Sequence, residues 1–195
     1  MSVLPDVLAD GLAIVFCGTA AGRVSAQRGA YYSGPGNKFW PTLHRVGITP
    51  HQLDPADFRK LLDYRVGLTD LAQHTSGSDY SLRPGDFVVD ELTRKIEHHQ
   101  PRLLCFNGKK AGKEYLHTSS VDYGEQSQRI GQTRLFVLPS TSGAANAYWD
   151  ESWWQKVAAL GDPGMEPEYD FSSSIQGKYA ARIPATRDEQ SETPT

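Results

Sequence analysis

The chain has 195 residues, a formal net charge of −3 and an apolar fraction of 38%. This length and apolar content suffice for one domain with its own core, and they exclude a wholly disordered chain. The charge excludes a uniformly basic nucleic-acid protein of the histone kind, but it allows one basic face on an acidic body.

Apolar runs and helical spacings alternate along the first third of the chain. Residues 12–18 (LAIVFCG) are continuously apolar and predict a strand buried on both faces. Residues 37–47 place apolar side chains at helical spacing, and residues 54–64 begin with Asp54 as an N-cap, so both predict helices. Residues 65–71 predict the end of a strand and a loop.

The same alternation continues to residue 160. An apolar stripe predicts one long helix over residues 83–101. A buried strand over residues 102–108 and a helix over residues 109–117 follow. Residues 133–143 predict a third buried strand that runs into a turn, and residues 150–160 predict the last helix.

The order of these elements predicts the fold class and the extent of the domain. Strands that alternate with helices imply right-handed crossovers and a parallel sheet between two helical layers. Residues 1–160 are therefore predicted to form one domain. Residues 161–195 are rich in Pro, Ser and charge, and we expect a C-terminal tail that packs only in part and has a disordered end.

The sequence favours no metal, cofactor or membrane. Cys17 and Cys105 lie in apolar runs, as buried reduced thiols do, and two cysteines are too few for an iron–sulfur cluster. Cys-x-x-Cys and His-Glu-x-x-His motifs are absent, so we expect no metal site and no cofactor. The sequence has no apolar window of about 20 residues and no basic leader, which predicts a cytoplasmic protein.

Three segments leave the carboxyl ends of the predicted strands, where open parallel sheets bind their ligands. They are residues 18–37, 69–75 and 139–146. The first is rich in Gly, Ala, Ser, Tyr and Arg, a composition that lets a flat, charged ligand approach the backbone closely. We therefore expect the functional site where these three segments meet.

Four stretches resemble the uracil-DNA glycosylase superfamily, nearest to its mismatch-specific uracil/thymine branch. They are GTAAGRVSAQRGAYYSGPGNKFW (18–40), LLDYRVGLTDLAQ (61–73), QPRLLCFNGKKAGKEYL (100–116) and VLPSTSGAAN (137–146). The resemblance implies a three-layer α/β/α sandwich with a central, mainly parallel four-stranded sheet. It also implies a monomer without a cofactor that flips uracil out of DNA containing uracil or a mismatch and hydrolyses its N-glycosidic bond. Whether other deaminated bases are substrates is left open.

The chain departs from the family where the family usually carries its catalytic group. The first motif usually has Asn or Asp where this chain has Ala20, and a methyl group cannot polarise water. Asp70 and Asn37 are the candidates for a replacement, ranked nearly equal. The alternatives are a loop or capping role for Asp70 and a helix N-cap role for Asn37. Ser140 stands where the second motif often carries His or Asn, and we expect its hydroxyl to stabilise the leaving base unless it serves only its own turn.

The resemblance also assigns residues that bind the base and the DNA. Tyr32 stands at the position of the family's stacking ring, although an ordinary buried aromatic is the alternative. The expected base-binding residues are Gly18, Ala20, Gly22, Tyr32, Thr69, Asp70 and Ser140. The expected DNA-binding residues are Arg23, Arg28, Lys38, Lys109, Lys110, Ser142, Gly143, Ala144 and Asn146. For each of the basic residues, the alternative is that it is only a solvated charge on the surface. Ala144 stands at the wedge position and is a poor plug, which predicts weak discrimination for duplex DNA.

Three functions remain in competition at this stage. The first is a monofunctional uracil-DNA glycosylase with a relocated catalytic group. The second is a binding protein for uracil-containing or abasic DNA that lost turnover with Ala20. The third, a binder of small nucleotides, is disfavoured because the loop lacks the lysine of a P-loop and the spacing of a dinucleotide fingerprint.

Overall fold

The computed structural model describes residues 1–162. Its strands are β1 (Ile14–Ala21), β2 (Val66–Ser76), β3 (Leu103–Asn107), β4 (Gly124–Ile130) and β5 (Thr133–Leu138). Its α-helices are α1 (Arg23–Arg28), α2 (Phe39–Arg45), α3 (Val89–His99), α4 (Lys109–Leu116) and α5 (Ser152–Gly161). Short 3₁₀ helices cover Pro55–Tyr64, Pro84–Asp86 and Gly143–Tyr148.

The strands form one sheet in the order β2-β1-β3-β5-β4. The first four are parallel, which confirms the mainly parallel sheet, and β4 runs antiparallel to β5. The predicted count of four strands is wrong, because β4 adds a fifth at the edge of the sheet. Most residues of β4 are exposed and polar, so this strand lacks the apolar run that marks a buried one.

Both faces of the sheet carry a core, which confirms the three-layer architecture. In β1, Phe16 packs towards α2 and α5, where its ring lies 5.2 Å from Trp154 and 5.4 Å from Phe39 between centroids. The alternate residues Val15 and Cys17 belong to the opposite core, with α3 and α4. A central strand sandwiched in this way needs apolar side chains at every position, as the sequence has. Both cysteines are buried and free, as predicted.

Two predicted boundaries differ from the structure. Residues 69–75 belong to β2, because pairing with β1 continues through Cys17–Thr69, Gly18–Asp70 and Ala20–Ala72. The predicted helix over residues 83–101 is divided. The Asp86 carboxylate accepts the Arg83 amide at 2.7 Å and caps the start of a short 3₁₀ turn, and extended backbone at Phe87 ends this turn before α3 begins. The predicted tail lies outside the described residues, apart from its first two.

Other elements match their predictions. The Asp54 carboxylate accepts the Ala56 amide at 2.8 Å and caps the helix Pro55–Tyr64, although this helix is of the 3₁₀ type. Within residues 1–162, the helices are too short or too polar to cross a bilayer.

Candidate active site

A cavity of about 790 Å³ opens at the carboxyl ends of the parallel strands. This volume lies within the range typical of small-molecule sites. Its walls come from the ends of β1, β2, β3 and β5 and from the segments that follow them. The three segments that the sequence predicts to meet therefore converge here. A smaller cavity of about 420 Å³ lies near the amino ends of β1 and β2 and has a largely aliphatic lining.

Asp70 is a buried carboxyl group in the wall of this cavity. Its residue is only 5% exposed, and within residues 1–162 no side chain or amide donates a hydrogen bond to it. Gly18 makes the room for it, because a Cβ at Gly18 would lie 2.3 Å from the Asp70 Oδ1 atom. Burial, with a smaller contribution from the Asp6 carboxylate, raises the pKa of Asp70 to about 7. The alternative of a solvated loop residue does not fit this position.

Tyr32 lies beside Asp70 in the same wall. Its backbone is left-handed, with φ of 52°, and its ring stacks on Phe39 at 4.0 Å between centroids. The hydroxyl is buried without a hydrogen-bond partner and lies 3.2 Å from the place of a Gly18 Cβ. Burial and the Asp70 carboxylate raise the pKa of Tyr32, although the nearby Asn107 amide opposes them. A buried donor without a protein partner is suited to a polar ligand.

Asn37 and Ser140 also line the cavity, with different atoms available. The Asn37 Oδ1 atom accepts the Phe39 amide at 3.0 Å, so this side chain caps the first turn of α2. The Ser140 Oγ atom accepts the Ser142 amide at 3.3 Å, which leaves its hydroxyl proton free to donate. Asn37 therefore makes the capping contact expected of its alternative role, and the Ser140 hydroxyl keeps a proton that it can donate.

Asn107 is a further polar residue of the site that the sequence analysis did not assign. It is the last residue of β3, lines the cavity and is 7% exposed. Its Oδ1 atom accepts the Thr141 amide at 3.0 Å, and its Nδ2 atom donates to Thr141 Oγ1 at 2.9 Å. A buried strand that ends in a polar amide, as in CFNG, is the sequence pattern that identifies this position.

Most of the other predicted residues border the cavity. Beyond those described above, they are Ala20, Gly22, Arg23, Lys109, Lys110, Ser142, Gly143 and Ala144. At the position of Ala20 the cavity meets a methyl group, so Ala20 contributes no polar side chain to this wall.

The structure does not bring four predicted residues to the cavity. Thr69 alternates with Asp70 along β2, and its hydroxyl donates to the Asp6 carboxylate at 2.7 Å. Arg28 donates to the Ser33 carbonyl at 3.0 Å. Lys38 donates to the Oδ1 atom of Asn146, so these two side chains contact each other outside the cavity.

One cluster of possible metal ligands occurs within residues 1–162. Asp10, His98 and His99 bring their ligand atoms within 4.8 Å of one another. The cluster lies at the end of α3 and ahead of β1, away from the cavity. The Asp10 carboxylate lies 2.9 Å from His99 Nδ1, a hydrogen-bonding contact at the surface.

Fold and cavity together define an α/β protein that binds its ligand where its parallel strands end. The match to a protein family makes this class specific. The model of the uracil DNA glycosylase superfamily matches residues 5–162, and the chain belongs to that superfamily.

A solved structure supports the same placement. The chain resembles the solution NMR structure of a candidate uracil DNA glycosylase from Methanosarcina acetivorans, with 25% sequence identity and a TM-score of 0.59. The match covers 82% of this chain and 97% of the other. The membership indicated by the four motifs is thereby confirmed at the level of the superfamily.

Proposed function

We propose that this protein is a DNA glycosylase that everts uracil from DNA and hydrolyses its N-glycosidic bond to leave an abasic site. The observation that carries the proposal is the buried Asp70 carboxyl, which lines a cavity large enough to admit a nucleobase and whose pKa is raised to about 7. A general base works best when its pKa lies near the working pH. The four motif stretches support the mismatch-specific branch as the nearest relative within the superfamily.

In this mechanism Asp70 acts on water at the sugar. The ionised carboxylate takes a proton from a water molecule, whose oxygen forms a bond to the C1′ carbon of the deoxyribose. The bond between C1′ and the base nitrogen breaks, and its electron pair leaves with the base. The transition state resembles an oxocarbenium ion, which a nearby carboxylate also stabilises by its charge.

Ser140 is proposed to stabilise the base as it leaves. Negative charge develops on the carbonyl oxygen of the departing uracil, and the free Ser140 hydroxyl can donate a hydrogen bond to it. One such donor typically contributes about 2.7–4 kcal/mol to the stability of a transition state. The Tyr32 ring supplies a face on which the base can stack, as the flipped base of a glycosylase requires.

Asp70 is favoured over Asn37 as the group that activates water. An amide is too weak a base to take a proton from water, and the Asn37 carbonyl oxygen also accepts the Phe39 amide. Its Nδ2 group remains available to orient a water molecule or the DNA. We therefore assign Asn37 a secondary role.

The test is the cleavage of an oligonucleotide that contains one uracil. After incubation, alkali breaks the strand at abasic sites, and the shorter product is measured. Asp70→Asn is expected to lower the rate at least 100-fold, because general bases contribute about 10²–10⁴-fold. Asp63→Asn is the matched control, since Asp63 is exposed on the 3₁₀ helix Pro55–Tyr64 and does not line the cavity. Undiminished cleavage by Asp70→Asn would refute the catalytic assignment.

A second candidate function rests on Ala20. Since the cavity meets a methyl group at this position, the protein could bind uracil-containing or abasic DNA without turnover. Tight binding of the uracil oligonucleotide by the wild-type chain, with no alkali-sensitive product, would support this function instead.

A further inference from the structure

Two tyrosine side chains at the mouth of the cavity are exposed to solvent. Tyr80 is 101% exposed and Tyr148 is 73% exposed, and both border the cavity. Apart from them, the large apolar side chains of residues 1–162 that are exposed are Met1 and Leu62. Neither tyrosine ring contributes to the core, so a role in folding does not explain them.

The two rings rise from different sides of the opening. Tyr80 belongs to the segment that follows β2, and Tyr148 ends the 3₁₀ helix Gly143–Tyr148 that follows β5. In the sheet, β2 and β5 are separated by β1 and β3. With neighbouring strands about 4.8 Å apart, the points where these two segments leave the sheet are about 14 Å apart. Both segments border the cavity whose wall contains Asp70.

Lys109 and Lys110 border the same cavity as the two rings. Tyr148 lies near Tyr123, whose ring centroid is 4.5 Å from the Lys109 ammonium. The positive charge of Lys110 also acts on the Asp79 carboxylate, which precedes Tyr80, and opposes the rise that burial causes in its pKa. Exposed aromatic rings among cations are what proteins use to hold single-stranded nucleic acid, since every base has a face on which to stack.

We propose that Tyr80 and Tyr148 are stacking residues for the two nucleotides that flank the everted one, so that the protein grips a locally single-stranded segment. This inference rests on the proposed function, because it presupposes that DNA enters the cavity. It also supplies what Ala144 lacks. An alanine cannot fill the space that an everted base vacates. In this proposal, stacking on the two rings at the rim keeps the neighbouring bases from closing that space.

The test is fluorescence anisotropy of a labelled single-stranded oligonucleotide with a central tetrahydrofuran abasic analogue, which cannot be cleaved. Tyr80→Ala and Tyr148→Ala are each expected to weaken binding roughly 5- to 100-fold, the usual effect of losing one stacked base. Tyr80→Phe and Tyr148→Phe keep the ring and are expected to bind within about twofold of the wild type. Leu62→Ala is the control, since it removes an exposed apolar side chain that does not border the cavity.

The outcomes separate this inference from the proposed function. Wild-type affinity in both alanine variants overturns the stacking role, and so does a phenylalanine variant as weak as its alanine counterpart. If the wild-type chain fails to bind the oligonucleotide at all, the proposed function falls and the stacking role falls with it. Circular dichroism of each variant checks folding, and we expect no change because neither ring packs in the core.

Discussion

Asp70 illustrates how a functional residue opposes stability. A buried carboxyl that accepts no hydrogen bond stays protonated to higher pH than a free one, since burial disfavours its charge. The native state therefore holds a proton that the unfolded state has already released. In the proposed mechanism, ionised Asp70 is the active form, so the protein gains a base at the expense of folding free energy.

The sign of this effect gives a prediction for Asp70→Asn. Between the ordinary pKa of 3.8 and the native value of about 7, the native state binds one more proton than the unfolded state. Stability from this group is therefore complete at low pH and is lost as pH rises to about 7, by up to about 4 kcal/mol. Asp70→Asn removes the loss, so its stability relative to wild type should increase from pH 5 to pH 8.

Urea unfolding of both proteins at the two pH values measures the difference. Asp63→Asn, at an exposed position, is the control and should show no such increase. An Asp70→Asn variant whose relative stability is the same at pH 5 and pH 8 would contradict a strongly raised pKa in the native state.

At the scale of elements, Thr141 holds three segments of the site together. Its amide and hydroxyl both bond the Asn107 side chain at the end of β3. Its carbonyl accepts the Lys38 backbone amide at 2.9 Å, one residue before α2. Because Ser140 precedes Thr141, these bonds fix the position of the proposed donor to the leaving base.

A double-mutant cycle tests this connection. Asn107→Ala leaves the buried Thr141 amide unsatisfied and should cost about 1–3 kcal/mol of unfolding free energy. Thr141→Val removes only the hydroxyl and should cost less. The two effects should deviate from additivity by about 0.5–3 kcal/mol, as expected for residues in contact. Urea unfolding of the four proteins gives the coupling, and additive values would show that the pair does not act as a unit.

The sequence predicted the buried elements well and the exposed ones poorly. The run LAIVFCG identifies β1 because both faces of that strand are covered, whereas β4 is an exposed edge strand whose composition resembles a loop. Thr69 shows the limit at the site. Thr69 precedes Asp70 in the sequence, but consecutive side chains of a strand point to opposite faces of the sheet. No sequence pattern predicts that Tyr148 is exposed, since its exposure depends on where a short 3₁₀ helix places it.

At the scale of the whole molecule, the proposed function requires an acidic chain to attract a polyanion. The net charge is −3, yet Arg23, Lys109 and Lys110 border the mouth of the cavity. Lys110 also pairs with Glu114 at 2.6 Å, which reduces its field, so Arg23 and Lys109 are the cations best placed for phosphate. Local charge at the mouth rather than total charge should therefore govern binding.

This distribution predicts how the affinity for DNA depends on salt. Each phosphate contact with single-stranded DNA adds about −0.7 to the slope of log affinity against log salt concentration. Arg23→Ala and Lys109→Ala should each make the slope shallower by about that amount, whatever the base sequence. Lys60→Ala should leave it unchanged, because Lys60 pairs with Asp57 at 3.1 Å and does not border the cavity. Anisotropy titrations from 50 to 200 mM salt, a range chosen because such contacts weaken markedly across it, provide the slopes. Equal slopes in all four proteins would place the DNA elsewhere, whereas a loss confined to the two cations at the mouth would support DNA entering the cavity.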